Sequence, residues 1–135
     1  MTKERLRNYV NIKREAEQIK RQMEEIEAAL YYPKIQRLTS MPSAPSAGNY
    51  QEDLAIHHIE LQEKYRAKLA ALAAEQLAIE TSIERLEPTT RMLLRYRYLD
   101  GLKWEEVCVR LNYSWRQTHR LHGEALRQLK EEPED

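Results

Sequence analysis

The sequence contains no phenylalanine, three glycines and one cysteine in 135 residues. A chain without Phe, with a third of its residues charged, is not expected to build a large sheet-based core, because strands are rich in aromatic and β-branched side chains. The lone Cys108 excludes an internal disulfide and fits a reducing cytoplasm. Nothing approaches the roughly 20 consecutive apolar residues of a membrane span. The start, Met1-Thr2-Lys3-Glu4-Arg5, leads into charged residues and not an apolar run, so no signal peptide is expected either. A nucleophile elbow of the Gly-x-Ser-x-Gly kind and a Gly-rich phosphate loop are both missing, which leaves catalysis without support and predicts no enzyme and no cofactor. Histidine is scarce too. His57 and His58 are adjacent and point about 100° apart on a helix. His119 and His122 share a face, but no Cys or carboxylate completes a ligand set, so no metal is expected.

Ala, Leu, Glu, Lys, Arg and Gln are abundant, and these are good helix formers. With a helical period they read as an all-α chain with coiled-coil segments, in one or two small domains. A first helix is predicted from about Thr2, which can cap it, to Leu30. Its apolar residues Tyr9, Ile12, Ala16, Ile19, Met23, Ile26 and Leu30 are spaced alternately by three and four, a heptad seam. The residues between are charged and of mixed sign, as a solvated face should be. Residues 31–50 follow as a connection containing Pro33, Pro42 and Pro45, which rule out a continuous helix. A second long helix is predicted from near Asn49 or Asp53 to Leu86. Its stripe is Leu54, His58, Leu61, Tyr65, Leu69, Leu72, Gln76, Ile79, Ile83 and Leu86, weakened by His58 and Gln76. The pattern fits an antiparallel hairpin with the first helix or a dimer through either helix, and does not choose between them.

Glu87-Pro88 marks a boundary, since proline disfavours helix before it and suits a helix start. Met92, Leu93, Tyr96 and Leu99 then lie on one face of a short helix that ends at Asp100-Gly101. A second helix is predicted from Lys103 to Leu111, with Trp104, Val107, Cys108 and Leu111 inward. Asn112-Tyr113 makes a turn, for which Asn tolerates the left-handed conformation. Ser114 caps a third helix that runs to Lys130 with Thr118, Leu121, Ala125 and Leu129 inward. Its outward N-terminal face carries Trp115, Arg116, Gln117, His119 and Arg120. This is helix-turn-helix spacing. In that motif the early turns of the last helix reach base edges in the major groove, where Arg suits guanine and Gln suits adenine. Charge agrees: residues 88–130 hold nine Lys/Arg against four Asp/Glu, a net of +5, within a chain of zero formal net charge. The acidic tail, residues 131–135, masks this excess.

The run from Gly101 through Lys103-Trp104-Glu105-Glu106-Val107-Cys108 and Leu111-Asn112-Tyr113-Ser114 to Ala125-Leu126-Arg127-Gln128-Leu129-Lys130 resembles region four of bacterial sigma factors. Arg95-Tyr96-Arg97-Tyr98-Leu99 resembles that family's preceding helix. The resemblance covers about a third of the chain without gaps. It departs from the pattern at Cys108 for Ala, at Asn112 for the turn Gly, and at Trp115 and His119, where the family often has Arg. No other sigma region is recognisable. The whole arrangement looks more loosely like small phage and prophage proteins of the RinA and ArpU late-transcription-regulator style. The resemblance implies sequence-specific double-stranded DNA binding in phage transcription, in the host cytoplasm, through Trp115, Arg116, Gln117, His119 and Arg120. Residues 1–86 are then a coiled-coil oligomerisation region, which supplies dimerisation or holds RNA polymerase, and residues 87–130 the DNA-binding domain. Two alternatives stay open: a small-terminase-like packaging protein, and a polymerase-binding adaptor without DNA specificity.

Overall fold

The computed structural model describes residues 1–31 and 47–131. They form an all-α chain: α1 Lys3–Tyr31, α2 Ala47–Ile83, α3 Pro88–Leu94 continuing as a π turn Arg95–Leu99, α4 Trp104–Leu111 and α5 Trp115–Lys130. No strand occurs among the described residues, and no helix there is long and apolar enough to cross a membrane. Most of the proline-rich connection and of the acidic tail lie outside the described residues. The chain divides into two compact units, Met1–Lys13 with Ala71–Asp135, and Arg14–Ala70. The division follows contacts and not chain order, since both long helices pass through both units.

Within Arg14–Ala70, α1 and α2 run antiparallel. Glu15 pairs with Lys68 at 2.6 Å and Glu27 with His58 at 2.9 Å, so ascending numbers on one helix meet descending numbers on the other. Within one chain the two helices are thus paired with each other. Ala16, Ala29 and Leu61 are buried, with Ile19, Met23, Ile26, Leu54 and Tyr65 half-buried around them. Leu69, expected on the inner stripe, is 44% exposed. The inward row is 54, 58, 61, 65 and 68, and Leu69 lies one residue, about 100° of helix rotation, beyond it. Lys68 takes the place, half-buried, with its ammonium on Glu15.

The other unit has a continuous core. Leu6 and Tyr9 of α1, Ile79 and Ile83 of α2, Leu93 and Leu94 of α3, Val107 of α4 and Ala125 and Leu129 of α5 are all buried. Thr2 does cap α1, its Oγ1 accepting from Arg5 N–H at 3.3 Å. Arg5 grips Glu75 with two bonds at 3.0 and 3.1 Å, and Arg95 grips Glu80 at 2.7 Å at its shortest. These guanidinium–carboxylate forks have fixed geometry. Arg91 closes the end of α2 by donating to the carbonyls of Glu84 and Leu86.

The helix expected from Pro88 to Leu99 changes pitch at Arg95. The Asp100 N–H bonds back to the Arg95 carbonyl at 2.8 Å, a five-residue step. A π turn holds one residue more than an α turn, so the buried pair Leu93-Leu94 recurs as Tyr98-Leu99. This corrects the predicted face: Met92 is 41% exposed, Tyr96 is half-buried, and Leu94 and Tyr98 point inward instead. Gly101 then turns the chain with φ +70°, where a side chain would be strained.

Candidate nucleic-acid interface

The helix expected to carry the site, α5, is fixed from its first residue. Ser114 is extended at φ −67° and ψ 161°, and its Oγ accepts from Gln117 N–H at 3.1 Å. In return the Gln117 side-chain carbonyl accepts from Ser114 N–H at 3.2 Å. This reciprocal cap satisfies two backbone donors that a helix start leaves free. The turn before it is set by Asn112, which is left-handed at φ 57°, with Tyr113 N–H bonding to the Cys108 carbonyl at 3.1 Å. At the start of α4, Lys103 N–H donates to Glu106. A lysine ammonium cannot accept a bond, so only this half of a capping box operates there.

Thr118, His122, Ala125 and Leu129 form the buried side of α5. Leu121, expected inward, is half-buried, and His122 takes its place. The Tyr98 hydroxyl lies 2.7 Å from His122 Nε2. Burial lowers the pKa of His122 to about 4, helped by the positive charges of Lys3, His119, Arg97 and Arg7. Burial also pushes the Tyr98 phenol up, so it keeps its proton. A neutral phenol thus shares one hydrogen bond with a neutral imidazole, its direction set by the imidazole tautomer. The Trp104 ring sits 4.7 Å from His122 and 4.4 Å from His119, with the Arg97 guanidinium 4.6 Å over it.

The five residues singled out by sequence divide into two groups. Arg116 and Arg120 are exposed and engage no other described residue. Trp115, Gln117 and His119 are engaged within the protein. Trp115 is 53% exposed but lies 4.3 Å from the His119 ring. His119 is half-buried between the two Trp rings, and its Nε2 has no hydrogen-bond partner. Gln117 closes the cap with its side-chain oxygen.

No family model, curated protein or solved structure matches the chain. Among the cations of residues 88–130, Arg91, Arg95 and Arg97 donate to protein groups, and Arg110 lies 5.8 Å over the Tyr96 ring. Arg127 is exposed and unengaged like Arg116 and Arg120. It was missed although its spacing from Arg120, seven residues, places it on the same side of the helix. The outward side of α5 is thus a row of three guanidiniums that the fold itself does not use. What it can do chemically is bind anions arrayed along a groove, bidentately where geometry permits. Among the described residues no group of three or more His, Cys, Asp or Glu could hold a metal.

Proposed function

We propose that α3, α4 and α5 form a helix-turn-helix module that binds double-stranded DNA, with α5 as the recognition helix in the major groove, in phage transcription regulation. The observation that carries the reading is the contrast between the two sides of α5. One side is buried and the start is reciprocally capped, so the helix is held rigidly. The other presents Arg116 and Arg120, exposed and unengaged, in the first two turns. Those turns are where a recognition helix meets base edges. The tight turn at Asn112 and the local net charge of +5 support the same reading.

The Arg14–Ala70 unit supplies self-association in this account. Ile56 and Ile59 are 56% and 54% exposed on the side of α2 away from Leu61. The same outward row continues to Glu63 and Arg66, both exposed. Two copies of this row laid antiparallel place Glu63 against the partner's Arg66 and the reverse, a self-complementary arrangement of the kind a two-fold dimer requires. A dimer presents two recognition helices to paired half-sites.

The direct test is alanine replacement of Arg116 and Arg120, singly and together, with DNA affinity measured by fluorescence anisotropy. Each single change is expected to weaken specific binding by about 1–3 kcal/mol. Unchanged affinity in the double variant would remove α5 from the interface. Capture of RNA polymerase without DNA binding would favour the adaptor.

A further inference from the structure

Gly123 is the ninth of the sixteen residues of α5, and the fold gives no reason for it. Glycine in a helix interior is the least favourable residue after proline. Such a glycine is accounted for by a kink, a helix end or a close approach by another part of the structure. Here the helix continues unbroken from Trp115 to Lys130, so Gly123 is not at an end and interrupts nothing. A Cβ built at Gly123 meets no atom within 4 Å. The chain itself therefore leaves room for a side chain at a position that carries none.

The surroundings of this bare spot are specific. On a helix the neighbours of residue 123 are three and four positions away, and these include Arg120 and Arg127. Arg116, seven residues back, lies along the same row. All three arginines are exposed and engage no described residue. Guanidiniums flanking a stretch of helix without a side chain make a shallow seat for a chain of phosphates, because the backbone surface can be reached while the forks close from the sides.

We propose that a DNA sugar–phosphate strand makes its closest approach to α5 at Gly123, where Arg127 holds it. This rests on the DNA-binding reading above and adds two positions to it. Gly123 provides clearance, and Arg127 is a phosphate contact that positions the helix without reading sequence. The base-reading role stays with Arg116 and Arg120 at the start of the helix, while the strand crossing at Gly123 fixes how deep that start enters the groove.

The test uses the full chain with Gly123→Ala, Gly123→Leu and Arg127→Ala. Each is measured for thermal stability and for affinity to a duplex that the unmodified protein binds, over a range of salt. Both Gly123 variants are better helix formers at a site with open space, so Tm is expected to rise by a few degrees. DNA affinity is expected to fall by about tenfold for Ala, and further for the longer Leu, a loss of the size of one direct contact. Arg127→Ala is expected to weaken binding to all duplexes alike and to reduce the slope of log affinity against log salt by about one. A rise in Tm with unchanged affinity in both Gly123 variants would overturn the proposal, and so would a fall in Tm in both. Those results would leave the DNA-binding reading intact wherever Arg116→Ala and Arg120→Ala still lose affinity. If the unmodified chain binds no duplex at all, the reading itself falls, and the inference with it.

Discussion

At the scale of single residues, the consequential group is His122. In the folded protein its pKa is about 4, and in the unfolded chain it returns to the ordinary value near 6.5. Between those values the unfolded chain binds the proton first, so lowering the pH favours unfolding. The His122 contribution is complete above pH 6.5, is lost as pH falls towards 4, and levels off below that, amounting to about 3 kcal/mol in all. His122→Gln keeps an acceptor for the Tyr98 hydroxyl and does not titrate. The stability gap between the two proteins in urea is expected to narrow steadily from pH 7 to pH 4, and a gap independent of pH would contradict the assignment. His122 was not legible as a core residue in the sequence, where a polar side chain beside Leu121 reads as the outward one. Its burial depends on the Tyr98 hydroxyl and the Trp104 ring, which are brought there by other helices. Asn112 and Gly101 were legible, because a left-handed residue at a tight turn is a local requirement that only a few side chains meet. Asn112→Val is expected to cost about 1–2 kcal/mol of stability, since a β-branched residue resists that conformation. Asn112→Gly is expected to cost little, which chemical denaturation of the pair would check.

At the scale of elements, α5 depends on its cap. Ser114→Ala removes the side-chain acceptor of the Gln117 N–H and is expected to cost about 1 kcal/mol. Gln117→Ala is expected to cost part of the same amount and to leave DNA affinity nearly unchanged, because the side-chain oxygen is already turned back to Ser114. A tenfold loss of affinity in Gln117→Ala, at unchanged stability, would instead return that side chain to the base-reading set. The starts of α1 and α5 could be read from Thr2 and Ser114, since caps are signals written within three residues. The π turn at Arg95–Leu99 could not, and Met92 was placed inward in error for that reason. A uniform period of 3.6 residues has no place for one extra residue, and the local sequence Arg-Tyr-Arg-Tyr-Leu carries no glycine or proline to announce it. The slip at Leu69 has a similar origin. Lys68 is preferred inward because Glu15 is there to receive its ammonium, which a pattern of apolar residues does not record.

At the scale of the whole molecule, the all-α class followed from composition and period, and the antiparallel pairing of α1 and α2 followed only once Glu15–Lys68 and Glu27–His58 were seen. Heptads specify that a helix needs a partner and leave open which helix it is. Zero net charge likewise conceals a basic C-terminal segment and an acidic tail. The self-association surface makes its own prediction: Ile56→Lys with Ile59→Lys puts charges into the apolar part of the row that a dimer would bury and is expected to yield monomers by sedimentation velocity, without loss of helix content by circular dichroism. A dimer that survives both changes would move the interface elsewhere. The central claim is that α5 recognises duplex DNA, and it is tested most directly by anisotropy titrations of the unmodified protein against labelled fragments tiling the region around its own gene, at low and moderate salt. The account predicts tight binding to one fragment that persists as salt rises, above a background of weak, salt-sensitive binding to the rest. Equal binding to every fragment that vanishes with salt would reduce the arginine row to general phosphate attraction and contradict it.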